Sequence, residues 1–286
     1  MPNAGESVVV VHAGALGDGV LLWPMLRSMA ARCANVTLVT HDSKGALAAR
    51  ALAINSQSIE SATWRALWNA AQFPRTSVAE TTPGNPQRLL SFVADGEHGV
   101  WAANARARFP RTVVEVIGRR LDRQLAIELA QREGGAGLTL PIRQNPLGPA
   151  VLHVGAGSAS KRWGMARWEA LAPMINGPLR VIAGEVEAEQ FSSADRAAFE
   201  RLGGVFLTDL FSLADLLAGS RTFVGCDSGP AHLAAQLGVP TVCIFRSTSP
   251  DEWAPIGPAV RVVGSASVDA TVRDVASACL SPWPAQ

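Results

Sequence analysis

No tyrosine occurs among the 286 residues, so any aromatic or planar contact to a ligand falls to tryptophan, histidine or arginine. Cysteine is scarce as well: Cys33, Cys226, Cys243 and Cys279 are scattered, without a C-x-x-C pair. That spacing suits neither a zinc site nor a disulfide framework, and buried reduced thiols are expected. An excess of one charge is also missing, because 25 Lys+Arg against 24 Asp+Glu leave +1. Such a balance lacks the broad basic surface of a nucleic-acid binder, and no nucleic-acid partner is expected. Charged residues are only 17% and hydrophobic ones 48%, which excludes a disordered chain and implies well-filled cores. The opening residues carry no basic stretch followed by a long apolar run. Val8 to Val11 is soon followed by Gly14, Gly17 and Asp18, so neither a signal peptide nor a spanning helix is expected there, and the protein reads as soluble and cytoplasmic.

What is present is an alternation of short β-branched runs with longer Ala/Leu-rich stretches. Ser7–Val11, Asn35–Thr40, Leu89–Val93 and Thr112–Val116 read as strands, and Val20–Arg32 as a helix. The nine residues from Pro141 to Pro149 hold three prolines and a glycine, which breaks the pattern and marks a linker. A second series comes after it, with strands at Val151–Val154, Leu179–Ala183, Arg221–Gly225 and Thr241–Phe245. Met165–Met174 reads as a helix within it, and Val268–Leu280 as a terminal helix. This is the pattern of an α/β protein with parallel sheets covered by helices, and the length is about that of two domains. Ser56–Pro86 is the least regular stretch; in it Trp64 and Trp68, four apart on one helix face, are expected to pack in the core.

Four loops can carry chemistry. His12–Gly19 holds Gly14, Gly17 and Asp18 between the first strand and first helix. Its glycine spacing is G-x-x-G-x-G rather than the dinucleotide G-x-G-x-x-G, although Asp42 sits where a ribose contact would be. Asp18 would repel a pyrophosphate in that turn; it is either a helix cap or a general base at a cleft. Gly155–Trp163 offers Gly157, Ser158 and the cations Lys161 and Arg162, a set suited to phosphate oxygens without Walker spacing. Gly184–Glu189 puts Glu187 and Glu189 after a strand, where a carboxylate either meets a ribose or merely suits the helix dipole. Val224–Ala235 runs a strand into a helix with Pro230 in its first turn. Ser228 and Gly229 sit at the positive helix end, Asp227 is placed for sugar hydroxyls, and His232 for phosphate.

Together these loops resemble glycosyltransferase family 9, the lipopolysaccharide heptosyltransferase family. Gly17-Asp18 with Val20–Pro24 looks like the family's G-D-x-[LV]-L-x-x-P opening, and Lys161-Arg162-Trp163 like its K-x-W-P loop. Asp227–His232 looks like its D-[TS]-G-x-x-H signature, and Gly238–Thr241 with Thr248–Pro250 match the family's next stretch. Gly164 stands in place of the K-x-W-P proline, and Arg246-Ser247 in place of Gly-Pro.

The resemblance implies two facing Rossmann-like domains of the GT-B type. Residues 1–145 would form the acceptor side and carry Asp18, 146–265 would bind the donor, and 266–286 would form a helix packing back on the first domain. Asp18 would be the catalytic base. Lys161, Asp227, Ser228, Gly229, His232, Gly157 and Ser158 would bind the donor, and Glu187 or Glu189 its ribose. The implied reaction is inverting transfer of a sugar, by the family's example a heptose from ADP-heptose, to a lipid-linked or oligosaccharide acceptor. It would proceed without metal or other cofactor, with transient contact at the inner membrane surface. The rival readings are an NAD-dependent oxidoreductase, resting on Gly14–Gly19 and Asp42, and a silent sugar-nucleotide-binding protein of the same fold.

Overall fold

A computed structural model describes residues 5–68, 86–93 and 98–283. Most of the stretch read as least regular, Ser56–Pro86, lies outside the described residues. Two parallel sheets are built. The first contains β1 (Ser7–Val11), β2 (Asn35–Thr40), β3 (Asn55–Ser58), β4 (Arg88–Ser91) and β5 (Val113–Val116), in the order β3-β2-β1-β4-β5. The second contains β6 (Ala150–His153), β7 (Leu179–Ala183), β8 (Val205–Phe206), β9 (Thr222–Cys226), β10 (Thr241–Ile244) and β11 (Val260–Val263), in the order β11-β10-β9-β6-β7-β8. Every neighbouring pair runs parallel. Both orders start in the middle and wind outward in each direction. The order therefore reverses between β1 and β4 in one sheet and between β6 and β9 in the other. In doubly wound sheets, ligands bind at the carboxyl ends of the strands flanking such a reversal.

The chain divides into two compact units. One is Met1–Ala15, Leu22–Leu121 and Glu128–Gly137, and the other is Leu16–Leu21, Asp122–Ile127 and Leu138–Gln286. The short helix Leu16–Leu21, which carries Asp18, thus groups with the second unit rather than with residues 1–145. It does so because it packs on the helix Gly229–Gln236. The terminal helix, Val272–Leu280, also belongs to the second unit, not to the first. It lies on the helix Met165–Leu171 and on β10 and β11, with Val275 and Ala276 buried there. It begins at Val272 because Thr271 caps it. Thr271 Oγ1 accepts from the Asp274 N–H, and the Asp274 carboxylate accepts from the Thr271 N–H, a reciprocal box that sets the first turn.

Prolines account for two further differences. The helix expected over Val20–Arg32 is broken into Leu16–Leu21 and Trp23–Ala30, since Pro24 has no N–H to continue the ladder. Met165–Leu171 tightens into a 3₁₀ turn at Ala172–Met174, which contains Pro173. Trp64 is buried with Trp101 and Phe109 in the first core, as expected, but Trp68 is 46% exposed. The helix Ala62–Arg65 passes into a 3₁₀ turn at Ala66–Trp68, so the three-residue period brings Leu67, not Trp68, beneath Trp64's face.

In the first sheet, β4 is paired in charge with Glu133, the residue just past the helix Arg123–Arg132. Arg88 on β4 donates to Glu133 from Nη2 at 2.7 Å and from Nη1 at 3.2 Å, and Glu133 is buried. Burial raises the Glu133 carboxyl, but bonding and charge from Arg88 and Arg132 outweigh it and hold the group below its ordinary value. Glu133→Ala is expected to lower stability by about 2 kcal/mol at pH 7, less than for a fully buried pair because Arg88 keeps some solvent contact. A carboxyl held down in the fold stabilises fully above its unfolded value of about 4.3 and loses that contribution as pH falls through the lower folded value. The gap between mutant and wild type in urea titrations should therefore narrow at pH 3.

Candidate functional site

The carboxyl ends of β6 and β9 flank the reversal of the second sheet, and the loops leaving those ends hold the chemistry. After β9, Asp227 is buried at 3% exposure. Its Oδ2 accepts from Lys161 Nζ at 2.8 Å and from Thr248 Oγ1 at 2.7 Å, and His232 Nε2 stands 3.8 Å from Oδ1. Burial would raise the Asp227 carboxyl, but His232, Lys161 and Thr248 together hold it below its ordinary value, so it is an anion. Three segments meet on this one carboxylate: the loop after β6 through Lys161, the first turn of Gly229–Gln236 through His232, and the loop after β10 through Thr248. Lys161 uses one of its three N–H donors on Asp227, which leaves the ammonium fixed in place with donors to spare.

Lys161 closes the 3₁₀ turn Ala159–Lys161 and is half-buried. Its neighbour Arg162 points elsewhere, donating to Gln190 Oε1 at 2.5 Å and lying 5.8 Å from the Phe191 ring. Trp163 is buried, and its indole N–H donates to Ala270 O at 2.8 Å, which anchors the end of the loop. Gly164 then adopts φ +89°, a conformation closed to proline, so the departure from K-x-W-P reflects a different helix entry. Gly157 is exposed and Ser158 half-buried on the same loop. Ser228 donates its hydroxyl to Cys226 O at 3.0 Å and begins the helix Gly229–Gln236, with Gly229 and Pro230 in its first turn. The N-terminus of an eight-residue helix beside a fixed ammonium is suited to phosphate oxygens.

Glu187 is not placed as a free ribose ligand. Its buried carboxylate accepts from the backbone N–H groups of Ala156 at 3.0 Å, Gly157 at 3.2 Å and Gly184 at 3.2 Å. Burial raises it, but these donors outweigh burial and keep it below the ordinary range. The loop passes so close that a Cβ at position 155 would lie 2.4 Å from the Glu187 carboxyl carbon and would displace the carboxylate. Glu189, two residues on, is exposed. Beneath the loop, burial pulls His153 down to about 4, so it is neutral at pH 7, with its ring stacked on Phe223.

Asp18 is half-buried within Leu16–Leu21. A Cβ built on its neighbour Gly17 would lie 3.4 Å from His232 Cδ2 and 3.6 Å from Gly229 Cα, so this turn rests on the helix start at Gly229. Gly14 belongs to the first unit, where its carbonyl accepts from Lys44 Nζ at 2.5 Å. Asp42, the ribose candidate of the dinucleotide reading, is exposed in the first turn of Asp42–Leu52. Thr248, quoted in the sequence only as a match, proves to be a ligand of the central carboxylate; its position just past β10, beside β9, was the available signal. Among the described residues no group of three or more His, Cys, Asp or Glu is placed to hold a metal ion, and no helix is long and apolar enough to cross a membrane.

Two doubly wound parallel sheets, one with a phosphate-suited strand reversal, define the GT-B class of glycosyltransferase folds. The family model for glycosyltransferase family 9 (heptosyltransferase) matches residues 135–279, just over half of the chain, and the protein belongs to that family. Lipopolysaccharide heptosyltransferase 1 of Pseudomonas aeruginosa is 32% identical over 94 residues, or 32% of this chain and 26% of that protein. The match thus spans about a quarter of that relative's length. Two solved structures share the fold. E. coli ADP-heptose LPS heptosyltransferase II has a TM-score of 0.63 at 18% identity, with 95% of this chain and 97% of that one covered. E. coli heptosyltransferase WaaC with ADP has a TM-score of 0.60 at 16% identity, with 94% and 97% covered.

Glu187→Gln is expected to lower stability by about 1–3 kcal/mol, because an amide nitrogen would replace an oxygen that now accepts backbone N–H groups. Glu189→Gln, at an exposed position, should stay within about 0.5 kcal/mol of wild type. Thermal melts of both variants at pH 7 check this. Equal melting temperatures would return Glu187 to a ligand-facing role.

Proposed function

We propose that this protein is an inverting glycosyltransferase that moves a sugar, most simply a heptose, from an ADP-heptose-like donor to a hydroxyl of a lipopolysaccharide-core or related lipid-linked glycan. The observation that carries the reading is the Lys161–Asp227 pair, held at 2.8 Å at the strand reversal beside the helix start at Gly229. Family membership and the donors named for structures of the same fold support the choice of donor.

In this reading the donor diphosphate lies over the loop Gly155–Lys161 and the turn Ser228–His232. The acceptor oxygen attacks the anomeric carbon on the face opposite the diphosphate, and Asp18 takes the hydroxyl proton. The bond from the anomeric carbon to the diphosphate oxygen breaks, and the nucleoside diphosphate leaves with the electron pair. Charge builds on that leaving group, where Lys161, His232 and the helix start are already oriented and need no reorganisation. A metal's usual role is thereby assigned to fixed protein donors. Asp227 is read as the residue that orients Lys161 rather than as a direct sugar ligand, since its Oδ2 already accepts from both Lys161 and Thr248. The first unit is assigned to the acceptor, and the site of action to the cytoplasmic face of the inner membrane.

Asp18→Asn keeps size and capping ability, so stability should change by under about 1 kcal/mol. Turnover should fall roughly 10²–10⁴-fold, the usual worth of a general base, while donor affinity holds. Calorimetric donor binding and a transfer assay on the same variant read both quantities. Undiminished transfer would make Asp18 a helix cap only.

Lys161→Ala should lower both turnover and donor affinity, because its contact strengthens as the leaving group gains charge. Arg162→Ala should change either by less than about threefold, since its head group is engaged with Gln190 and Phe191. Steady-state kinetics in the donor concentration distinguish the two.

A further inference from the structure

The donor loops carry one charge to which the transfer mechanism assigns no role. The Lys161 ammonium is matched by the Asp227 carboxylate, so that pair presents no net charge to an incoming diphosphate. Arg162, the adjacent cation, is turned toward Gln190 and Phe191. Beyond the helix start and His232, a further cation on these loops would match a ligand bearing two or more negative charges.

Arg246 stands at that place. It lies just past β10, two residues before Thr248, which binds Asp227 at 2.7 Å. Arg246 Nη1 donates to the Arg162 carbonyl, one residue beyond Lys161, and Ser247 Oγ lies 3.5 Å from Ser160 Oγ. The Arg246-Ser247 segment therefore runs along the phosphate-suited loop Ser160–Arg162. Asp269, whose carboxyl feels the Arg246 charge, is already bound through both oxygens by Arg167, at 2.8 and 2.6 Å. Among the described residues, Arg246 Nε and Nη2 have no protein partner, and the residue is half-buried at the loop surface. A guanidinium anchored by one N–H, with its other donors open and beside a neutralised ion pair, has the makings of a bidentate phosphate clamp.

We propose that Arg246 is a direct contact to the donor's diphosphate and supplies the positive charge that the Lys161–Asp227 pair does not. This rests on the assignment of the site to a nucleoside diphosphate. The residue is then a binding and specificity determinant for the phosphates, not for the nucleoside.

The test is calorimetric titration of wild type, Arg246→Gln and Arg246→Lys with ADP and, separately, with adenosine. Arg246→Gln is expected to weaken ADP about 10- to 100-fold, the range of a lost charge-assisted contact, and to leave adenosine within about twofold. Arg246→Lys should recover part of the ADP affinity. Unchanged ADP affinity in Arg246→Gln, with wild type binding ADP, overturns the role of Arg246 and leaves the nucleotide site intact. Equal losses for ADP and adenosine also overturn it, showing that the residue only supports the loop through the Arg162 carbonyl. If wild type binds neither ligand, the nucleotide assignment falls and the proposal with it.

Discussion

The second unit's chemistry depends on a carboxylate that cannot be left alone. Asp227 is buried at the end of β9, and an unpaired charge there would be strongly unfavourable. It persists because Lys161, Thr248 and His232 converge on it from three separate segments. The dependence runs in both directions. The carboxylate needs those groups to remain ionised, and the groups are held in position by the carboxylate. A lysine side chain that would otherwise sample many rotamers is thus fixed at a strand reversal before any ligand arrives, which is what electrostatic preorganisation requires.

Glu187 does for the backbone what Asp227 does for the side chains. Its bonds from the Ala156 and Gly157 N–H groups shape the loop from Gly155 to Gly157, a third from Gly184 ties it to the next one, and a Cβ at Gly155 would push the carboxylate out of place. Two buried anions, each satisfied by protein donors, therefore position a loop and a cation that face the same strand ends. Such an arrangement explains how a chain with only 17% charged residues assembles an anion-suited surface. Most of its local charges are used to orient one another, which is why the few with open donors matter for binding.

Departures from the family motifs have local physical reasons. At position 164 the backbone takes φ +89°, so glycine replaces proline because proline cannot adopt that angle. Arg246 replaces a small residue on the loop after β10, where its side chain reaches the carbonyl of Arg162. One change alters how the helix Met165–Leu171 is entered, and the other adds a cation to the loop rim.

Strand positions and the loops after β1, β6 and β9 were legible from periodicity and from glycine placement, because these are local properties of the chain, whereas Pro141–Pro149, expected as a linker, lies inside the second unit, whose last segment begins at Leu138. Lys161 and the Asp227–His232 turn stood out in the sequence only as separate candidate loops, and the ion pair between Lys161 and Asp227 appears only in the structure. The polar edge strand β3 and the short β8 carry too little hydrophobic alternation to be read, and their existence depends on pairing with β2 and β7. The sequence by itself determined which residues could form elements and which loops could meet an anion. Only the tertiary structure decided that Glu187 turns inward to the backbone, that Thr248 joins Asp227, that Trp68 faces outward, and that Leu16–Leu21 and the terminal helix belong to the second unit. Those outcomes depend on which distant segments supply hydrogen-bond donors and apolar surface, and the strand order sets that rather than the spacing along the chain.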